Sequence, residues 1–399
     1  MQKKLIALAV AGLVSVPAFA QSNVTIYGVV DMGYQYTGDN VSNAVKNRSG
    51  FDSGVSASSR LGFKGTEDLG NGLKAGFVLE QGIAVDSGNT AAGMGTFGRQ
   101  SFVSLSGGFG TVAAGRQYTP AHAILAGNID PFGLGKGTVG GIQNLYISEA
   151  RLDNLAAYVS PSWGGFSFVA GYTFSASGNE QSPKLGGTSA TDVRAWTIAP
   201  TYKNGPIYVA ANYHQLDPVA DGRDKTKVWD LGGTYDFGVV KVGAVYGQRK
   251  GNLNSTGAYF NPATDAPVAS SFAGAEAAEG DYKVKQWALT AAVPVGAAGK
   301  VQAMYGQRKT DIDGERDAKV SQWALGYEHA LSKRTAIYTA FAQQQQNKQQ
   351  EALTGFDSAA SGVTGAKGLG LGAGISDASL NNAGAGYQRG FNVGVRHSF

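Results

Sequence analysis

The chain has 399 residues, a formal net charge of +4 and no cysteine. So small a charge over this length does not indicate a nucleic-acid partner, and the lack of cysteine excludes a disulfide framework or a thiolate site. After the first 20 residues no apolar run approaches 18 residues, which excludes membrane-spanning helices.

The N-terminus has the three parts of a secretory signal peptide. Lys3 and Lys4 form a basic region, residues 5–16 are apolar, and Ala18 and Ala20 satisfy the small-residue rule for cleavage. The apolar run is too short for a membrane anchor. We therefore expect a signal peptide at 1–20 and one mature domain at 21–399, whose net charge falls from +4 to +2 with the loss of the two lysines.

Alternation of apolar and polar residues with a period of two recurs through the mature chain and predicts sixteen strands. They are expected at 23–36, 55–66, 71–84, 97–107, 110–118, 150–161, 165–176, 191–203, 205–216, 226–237, 238–250, 281–294, 298–311, 318–331, 333–347 and 387–399. The last of them, FNVGVRHSF, alternates up to the terminal Phe399.

The connections between these strands are of two kinds that alternate. Seven are short turns, such as GGFG at 107–110 and KNGP at 203–206. The other eight are mostly long, among them 37–54, 119–149, 251–280 and 348–386. Short turns at one end and long loops at the other are typical of outer-membrane β-barrels. An even number of strands then places both chain ends on the short-turn, periplasmic side.

The two faces of the strands also fit a barrel. In the first strand Val24 and Ile26 share one face, while Tyr27 and Asp31 share the other. A water-filled barrel directs the polar face inward, and a soluble β-sandwich directs it outward. The alternation alone allows both, so the signal peptide, the asymmetry of the loops and the complete last strand favour the barrel.

An internal repeat supports growth of the sheet by hairpins. YGQRK occurs at 246–250 and 305–309, and QWAL at 286–289 and 322–325. Repeated hairpins are how an up-and-down barrel extends. Residues 343–350 and 358–386 are of low complexity and are expected to form the last long loop.

Several longer segments resemble the general porins of Gram-negative bacteria, most closely the betaproteobacterial and neisserial branch. They are SNVTIYGVVDMGYQY (22–36), SSRLGFKGTEDLGNGLKAGFVLEQG (58–82), FGRQSFVSLSGGFGTVAAGRQYTP (97–120), DPFG (130–133), RLDNLAAYVSPSWGGFSF (151–168), LSKRTAIYTAF (331–341) and VGVRHSF (393–399). The match spans the mature chain.

The resemblance implies an all-β fold: a 16-stranded antiparallel transmembrane β-barrel, trimeric, with a water-filled pore for small hydrophilic solutes and ions. Its third loop would fold inward and form a narrow eyelet with basic side chains. In such proteins the terminal aromatic residue, here Phe399, is read by the barrel-assembly machinery. Phospholipid and lipopolysaccharide of the outer membrane would surround the barrel.

Four arginines resemble the eyelet arginines of the family. By alternation Arg60 lies with Lys64 on the inner face. Arg99 and Arg116 lie in the two strands that lead into the third loop, and Arg151 opens the strand after it. Strict alternation would turn Arg116 toward lipid, so we expect a kink or bulge at Gly115 that redirects it inward.

The third loop, residues 119–149, is too long for a hairpin connection, which indicates a functional segment. DPFG at 130–133 is a turn signal, and its family counterpart lies at the constriction. Asp130 and Glu149 are the acidic residues of the loop. Four arginines against two acids would make the eyelet positive, and a positive ring in a narrow aqueous passage attracts anions. We therefore expect weak anion preference.

Asp31, Lys64, Lys74 and Glu80 are expected to line the pore. The sequence contains no GxSxG or HExxH motif, and its four histidines lack metal-ligand spacing. We therefore expect no enzyme activity and no cofactor or metal. Two alternatives are an adhesin or autotransporter barrel, which would need a large passenger, and a barrel phospholipase or protease, which would need clustered Ser/His or Asp/His.

Overall fold

The computed structural model describes residues 23–39, 46–91, 95–133, 135, 138–145, 150–176, 193–218, 224–252, 281–312, 317–348 and 387–399. The expected signal peptide lies outside these ranges, as do Glu149 and most of the expected last long loop. None of the helices within these ranges is long and apolar enough to cross a membrane.

The described chain is almost entirely β-strand. The strands are β1 Asn23–Gly38, β2 Arg48–Ser53, β3 Arg60–Gly70, β4 Leu73–Ala84, β5 Asn89–Thr90, β6 Gln100–Gly107, β7 Gly110–Tyr118, β8 Arg151–Val159, β9 Phe166–Thr173, β10 Val193–Asn204, β11 Ile207–Pro218, β12 Thr226–Asp236, β13 Lys241–Asn252, β14 Asp281–Val295, β15 Gly299–Ile312, β16 Ala318–Ala330, β17 Thr335–Gln346 and β18 Arg389–Ser398.

All these strands belong to one antiparallel sheet that closes on itself. Sequential strands are neighbours, and β18 pairs with β1 from Val29↔Ser398 to Gly38↔Arg389. Strands β2 and β3 pair with successive parts of β1 and occupy one position in the barrel. The two-residue β5 pairs only with the end of β4. Sixteen spanning positions remain, which confirms the predicted sixteen-stranded barrel.

The second spanning position differs from its prediction. The expected strand at 55–66 begins only at Arg60, and the expected loop at 37–54 contains β2. Between them the chain leaves the sheet and enters the barrel at residues 54–59, which we call the inner bulge. The backbone N–H groups of Ser56 and Ala57 donate to the two carboxylate oxygens of Asp31, at 3.3 and 3.0 Å. A buried carboxylate needs such donors, so the bulge satisfies Asp31.

The two faces of the sheet have the polarity of a membrane barrel. Val24 and Ile26 on β1 are each 59% exposed on the outer surface. Asp31, Asp230 and Gln286 are buried and point inward. Apolar residues outside and polar residues inside exclude the soluble sandwich, whose faces would be reversed.

The ends of the chain close the barrel. Phe399 N–H donates to the Gly28 carbonyl at 3.1 Å, and Gly28 N–H donates to the Phe399 carbonyl at 3.1 Å. The Phe399 ring covers Gly28, where an added Cβ would lie 2.4 Å from the ring. The last strand is therefore paired through its final residue.

Candidate functional site

Glu80 on β4 is a buried carboxylate that contacts three polar side chains from different parts of the chain. Arg99 donates from Nε to Glu80 Oε1 at 2.7 Å, and the Tyr27 hydroxyl donates to Oε2 at 3.1 Å. Arg60 Nε lies 3.5 Å from the same Oε2. Strands β1, β3 and β4 are neighbours, so their inner faces bring Tyr27, Arg60 and Glu80 together.

Tyr118, at the end of β7, joins two of the arginines. Its hydroxyl oxygen accepts from Arg99 Nη2 at 2.5 Å and from Arg151 Nη2 at 2.7 Å. The Arg151 guanidinium also lies over the Tyr118 ring, 4.3 Å from its centroid. A cation over an aromatic face is favourable, so the ring stabilises Arg151 against burial.

Arg60, Arg99, Arg151 and Glu80, with the hydroxyls of Tyr27 and Tyr118, form what we call the arginine cluster. Three guanidinium groups face one carboxylate, which leaves a formal charge of +2. The Arg99 side chain is only 4% exposed, whereas that of Arg60 is 29% exposed. Arg60 is thus the member of this pair that presents its charge to the water inside the barrel.

Arg116 occupies a bulge at the position the sequence indicated. The pairing of β7 with β8 shifts register between Gly115 and Gln117, and Gly115 has φ +133°. The guanidinium of Arg116 donates to Asp153 Oδ1 at 2.5 Å and to the Gly98 carbonyl at 2.6 Å. Asp153 thus pairs with Arg116, whereas Arg60 shares its carboxylate partner, Glu80, with Arg99.

The third loop packs inside the barrel against the opposite wall. It contains a π-helical turn at Ala121–Ala126, one α-helical turn at Gly127–Ile129 and a 3-10 turn at Ile142–Asn144. Its buried apolar side chains meet apolar residues of the inner wall in one cluster: Ile129, Phe132, Val139, Ile142 and Leu145 against Ala210, Val245, Ala288, Met304, Val320, Ala324, Ala340 and Ala342. Apolar burial therefore holds the loop inward.

Hydrogen bonds attach the third loop on two sides. Inner-wall side chains bond its backbone: Thr290 Oγ1 donates to the Ile129 carbonyl at 2.9 Å, and Gln302 donates to the Pro131 carbonyl. On the other side, Gly135 N–H donates to the Ser56 carbonyl of the inner bulge at 3.1 Å. The loop thus contacts both the inner wall and the inner bulge.

Asp130 serves the fold of this loop. Its side chain is buried and accepts from Phe132 N–H at 3.0 Å and Ile142 N–H at 2.6 Å. Burial raises its pKa to about 7, and the two hydrogen bonds offset this only in part. The carboxylate expected at the constriction is therefore turned into the loop itself, where it joins two of its turns.

His122 stacks on Tyr118 with ring centroids 5.0 Å apart. Burial inside the barrel and the charges of Arg151 and Arg99 lower its pKa to about 3, so it is neutral at neutral pH. Within the described ranges no group of three or more His, Asp or Glu residues could hold a metal ion.

The residues expected to line the pore occupy different environments. Lys64 is exposed and lies 5.2 Å from the centroid of the inward-facing Tyr27 ring. Lys74 is exposed and shares the inner face of β4 with Glu80, six residues away. Asp31 is fully buried beneath the inner bulge, and Glu80 belongs to the arginine cluster.

Sequence reasoning did not identify Tyr118, Tyr27 or the inner bulge as parts of this site. Tyr118 follows Arg116 in the GRQY motif, and its position before the third loop was the available signal. The bulge carries the motif SGVSASSR at 53–60, which is rich in small residues and has the composition of a turn.

The closed sixteen-stranded barrel, its polar interior and its inward third loop define an outer-membrane channel protein. Residues 7–350 match the model of a Gram-negative porin family, and the chain belongs to that family. It is 35% identical to an outer membrane porin of Bordetella pertussis, over 85% of this chain and 93% of the other. It is 31% identical to a major outer membrane protein P.IB of Neisseria gonorrhoeae, over 87% and 95%.

Solved structures agree with this assignment. The fold is similar to an anion-selective porin from Comamonas acidovorans, with 30% identity, a TM-score of 0.68 and coverage of 95% of this chain and 100% of the other. OmpT of Vibrio cholerae, solved in a trimer form, shares the fold at 16% identity and a TM-score of 0.62, over 95% and 99%.

The protein is thus a multi-pass barrel of the Gram-negative outer membrane that forms a porin channel. The relatives are porins, which are channels rather than enzymes. This assignment favours the porin over the adhesin and the barrel hydrolase that the sequence left open.

Proposed function

We propose that the channel passes small hydrophilic solutes by passive diffusion with a weak preference for anions, and that Arg60 is the main determinant of this preference. The observation that carries the proposal is the arginine cluster, in which three guanidinium groups face one carboxylate. Charge in a narrow passage is poorly screened, so a local charge of +2 favours anions there. The similarity to an anion-selective porin supports this reading.

The roles within the cluster follow from exposure. Arg99 and Arg151 are buried and bonded to Tyr118, so they supply a fixed positive field. Arg60 is partly exposed and has contact with the water that ions cross. Arg116 has a compensating carboxylate in Asp153, so its contribution to selectivity is smaller.

Reversal potentials in planar bilayers under a salt gradient test this proposal. The wild-type protein should give a potential of the sign that reports anion preference. Neutralisation by Arg60→Gln should move that potential toward zero, and Arg116→Gln should move it less. Equal shifts for both variants, or a cation-selective wild type, would contradict the assigned roles.

We also propose that the protein is a homotrimer, which the trimer form of the fold relative OmpT supports. Light scattering in mild detergent should give three chain masses, each 41.2 kDa less the signal peptide. If the protein is a monomer and its conductance is unchanged, the homotrimer proposal is wrong and the channel proposal stands.

A further inference from the structure

The inner bulge is an insertion in the ladder between β1 and its neighbours β2 and β3. Met32 pairs with Ser53 on one side of the insertion, and Val29 pairs with Arg60 on the other. Six residues of the bulge therefore stand opposite two residues of β1. The surplus residues cannot all pair with β1, so the chain leaves the sheet at this place.

Asp31 lies opposite the insertion, is fully buried, and holds the bulge with both its main chain and its side chain. Its carbonyl accepts from the Gly54 N–H at 2.9 Å and from the Ser59 hydroxyl at 3.0 Å, at the two ends of the bulge. Its carboxylate accepts from the N–H groups of Ser56 and Ala57 in the middle. One residue of β1 thus binds the bulge at its ends and in its middle.

The bulge in turn holds the side chain of Arg60. Arg60 Nη1 donates to the Ser58 carbonyl at 3.0 Å, and Arg60 Nε lies 3.5 Å from Glu80 Oε2. The hydrogen bond to the bulge is the shorter of the two contacts and is therefore the tighter restraint on the guanidinium. A shift of Ser58 would move the charge to which we assign ion preference.

The bulge also meets the third loop, through backbone atoms. The Thr138 hydroxyl donates to the carbonyls of Val55 and Ser56, at 3.2 and 3.3 Å, and the Gly135 N–H donates to the Ser56 carbonyl at 3.1 Å. Glycine permits this close approach, since a Cβ at Gly135 would lie 2.5 Å from the carbonyl carbon of Ser56. The position of the bulge therefore determines how far the loop lies from the wall formed by β1 and β3.

We propose that Asp31 is a positioning residue of the channel, which acts through the inner bulge on ion preference and on solute size at once. Asp31 is buried and acts through its bonds to the bulge. The bulge then fixes the Arg60 guanidinium on one side and the third loop on the other. The part of the proposal that concerns ion preference rests on the proposed role of Arg60, whereas the part that concerns solute size is independent of it.

The sign of the change in selectivity separates positioning from a direct charge effect. Asp31→Asn removes a negative charge, which by itself would strengthen anion preference. However, an amide has one acceptor oxygen, so its NH2 group would face the N–H of Ser56 or Ala57 and displace the bulge. Arg60 would lose its fixed position and the passage beside it would widen, so that water and salt would screen its charge more strongly. We therefore expect weaker anion preference although a negative charge has been removed.

Reversal potentials, together with liposome swelling in neutral sugars of increasing mass, test the proposal on the folded barrel. Asp31→Asn should move the reversal potential toward zero and should increase the permeation of the larger sugars relative to the smallest. Asp31→Glu keeps the charge but adds a methylene group to a fully buried site, so it should change both measurements in the same direction. The control Asp68→Asn removes an exposed carboxylate that bonds the Gly70 N–H of its own turn, and it should change neither.

Thr138→Val tests the contact between the bulge and the third loop without any change of charge. It removes the hydroxyl that joins the two segments and leaves the bond between Arg60 and Ser58 in place. The larger sugars should permeate faster than in the wild type, while the reversal potential should change less than in Asp31→Asn. The matched control Thr201→Val removes a hydroxyl bonded to the Ser167 carbonyl of the neighbouring strand and should behave as the wild type does. If Asp31→Asn does not fold, Thr138→Val still decides whether the bulge positions the loop.

Several outcomes would overturn the proposal. If Asp31→Asn strengthened anion preference and left sugar permeation unchanged, Asp31 would act only through its charge. The same conclusion would follow if Asp31→Glu behaved as the wild type while Asp31→Asn did not. Unchanged sugar permeation in Thr138→Val would show that the bulge does not position the third loop. A cation-selective wild type would instead contradict the proposed role of Arg60, and the sugar measurements would still decide the role of the bulge.

Discussion

The hydroxyl of Tyr338 on β17 donates a 2.7 Å hydrogen bond to Asp31 Oδ1 on β1, across the intervening strand β18. Glycine makes this reach possible, since a Cβ at Gly394 would lie 2.3 Å from the Tyr338 hydroxyl. The same carboxylate holds the inner bulge through Ser56 and Ala57. One buried carboxylate thus connects the closing strands of the barrel to the segment that contacts the third loop.

The first prediction concerns this bond. Tyr338→Phe removes a donor from the buried Asp31 and should lower the free energy of unfolding by about 1–3 kcal/mol. Denaturant titration of the folded barrel measures the change. The control is Tyr246→Phe on the outer surface, which should stay within about 0.5 kcal/mol of wild type. Equal effects of the two substitutions would show that Tyr338 has no special role at the closure.

The second prediction concerns selectivity. Arg60→Glu changes the local charge by two units inside the barrel and should move the reversal potential toward cation preference, with a smaller effect on conductance. Lys46→Glu changes the charge equally but lies on the exposed surface, where bulk salt screens it. Reversal potentials of both variants in one salt gradient make the comparison. If the two variants shifted the reversal potential equally, Arg60 could not lie at the constriction.

The third prediction concerns pH. Burial raises the pKa of Asp130 to about 7 from its ordinary value of 3.8. The folded loop therefore binds a proton more tightly than the unfolded loop does. The contribution of Asp130 to the stability of the folded loop is therefore fully present below about pH 4 and is lost as the pH rises through about 7.

Hydrogen exchange at the amides of Phe132 and Ile142, corrected for intrinsic rates, should report this decline in protection. Asp130→Asn should make protection independent of pH over the window. Asp68→Asn, which changes an exposed turn, should leave the slope as it is in the wild type. Protection that increases with pH in the wild type would refute the assignment.

The fourth prediction concerns the bulge that directs Arg116. Gly115 has φ +133°, and a Cβ there would lie 2.2 Å from the Ser101 carbonyl oxygen. Gly115→Ala should cost about 1–3 kcal/mol through backbone strain and loosen the Arg116–Asp153 ion pair. Thermal unfolding of the isolated barrel tests it. Gly108→Ala, with open space around the added Cβ, is the matched control and should unfold as the wild type does.

The fifth prediction concerns assembly. Deletion of Phe399 removes both hydrogen bonds with Gly28 and should lower the amount of heat-modifiable barrel in outer membranes. Phe399→Ala keeps the backbone pairing and removes the ring, and Phe399→Tyr keeps both. A reduced level for Phe399→Ala with a normal level for Phe399→Tyr would assign the effect to the aromatic ring. A normal level after the deletion would count against an assembly role.

The sequence by itself determined the number of spanning strands, the alternation of short turns with long loops and the outward apolar face. These depend on local properties: the period of two in side-chain direction and the preference of glycine and asparagine for turns. It also indicated the bulge at Gly115, because a charged residue stood where strict alternation required an apolar one.

Only the tertiary structure decided which charges act together. Glu80, Tyr118 and Arg151 belong to strands separated along the chain, and Arg99 directly precedes β6. Closure of the sheet brings them within hydrogen-bond distance. The candidate pore residues also differ in burial: Arg60 is partly exposed to water, whereas Asp130 is buried and bonds to the backbone of its own loop. The inner bulge escaped prediction for the same reason: its donors meet Asp31, about 25 residues away, and local patterns do not encode contacts at that distance.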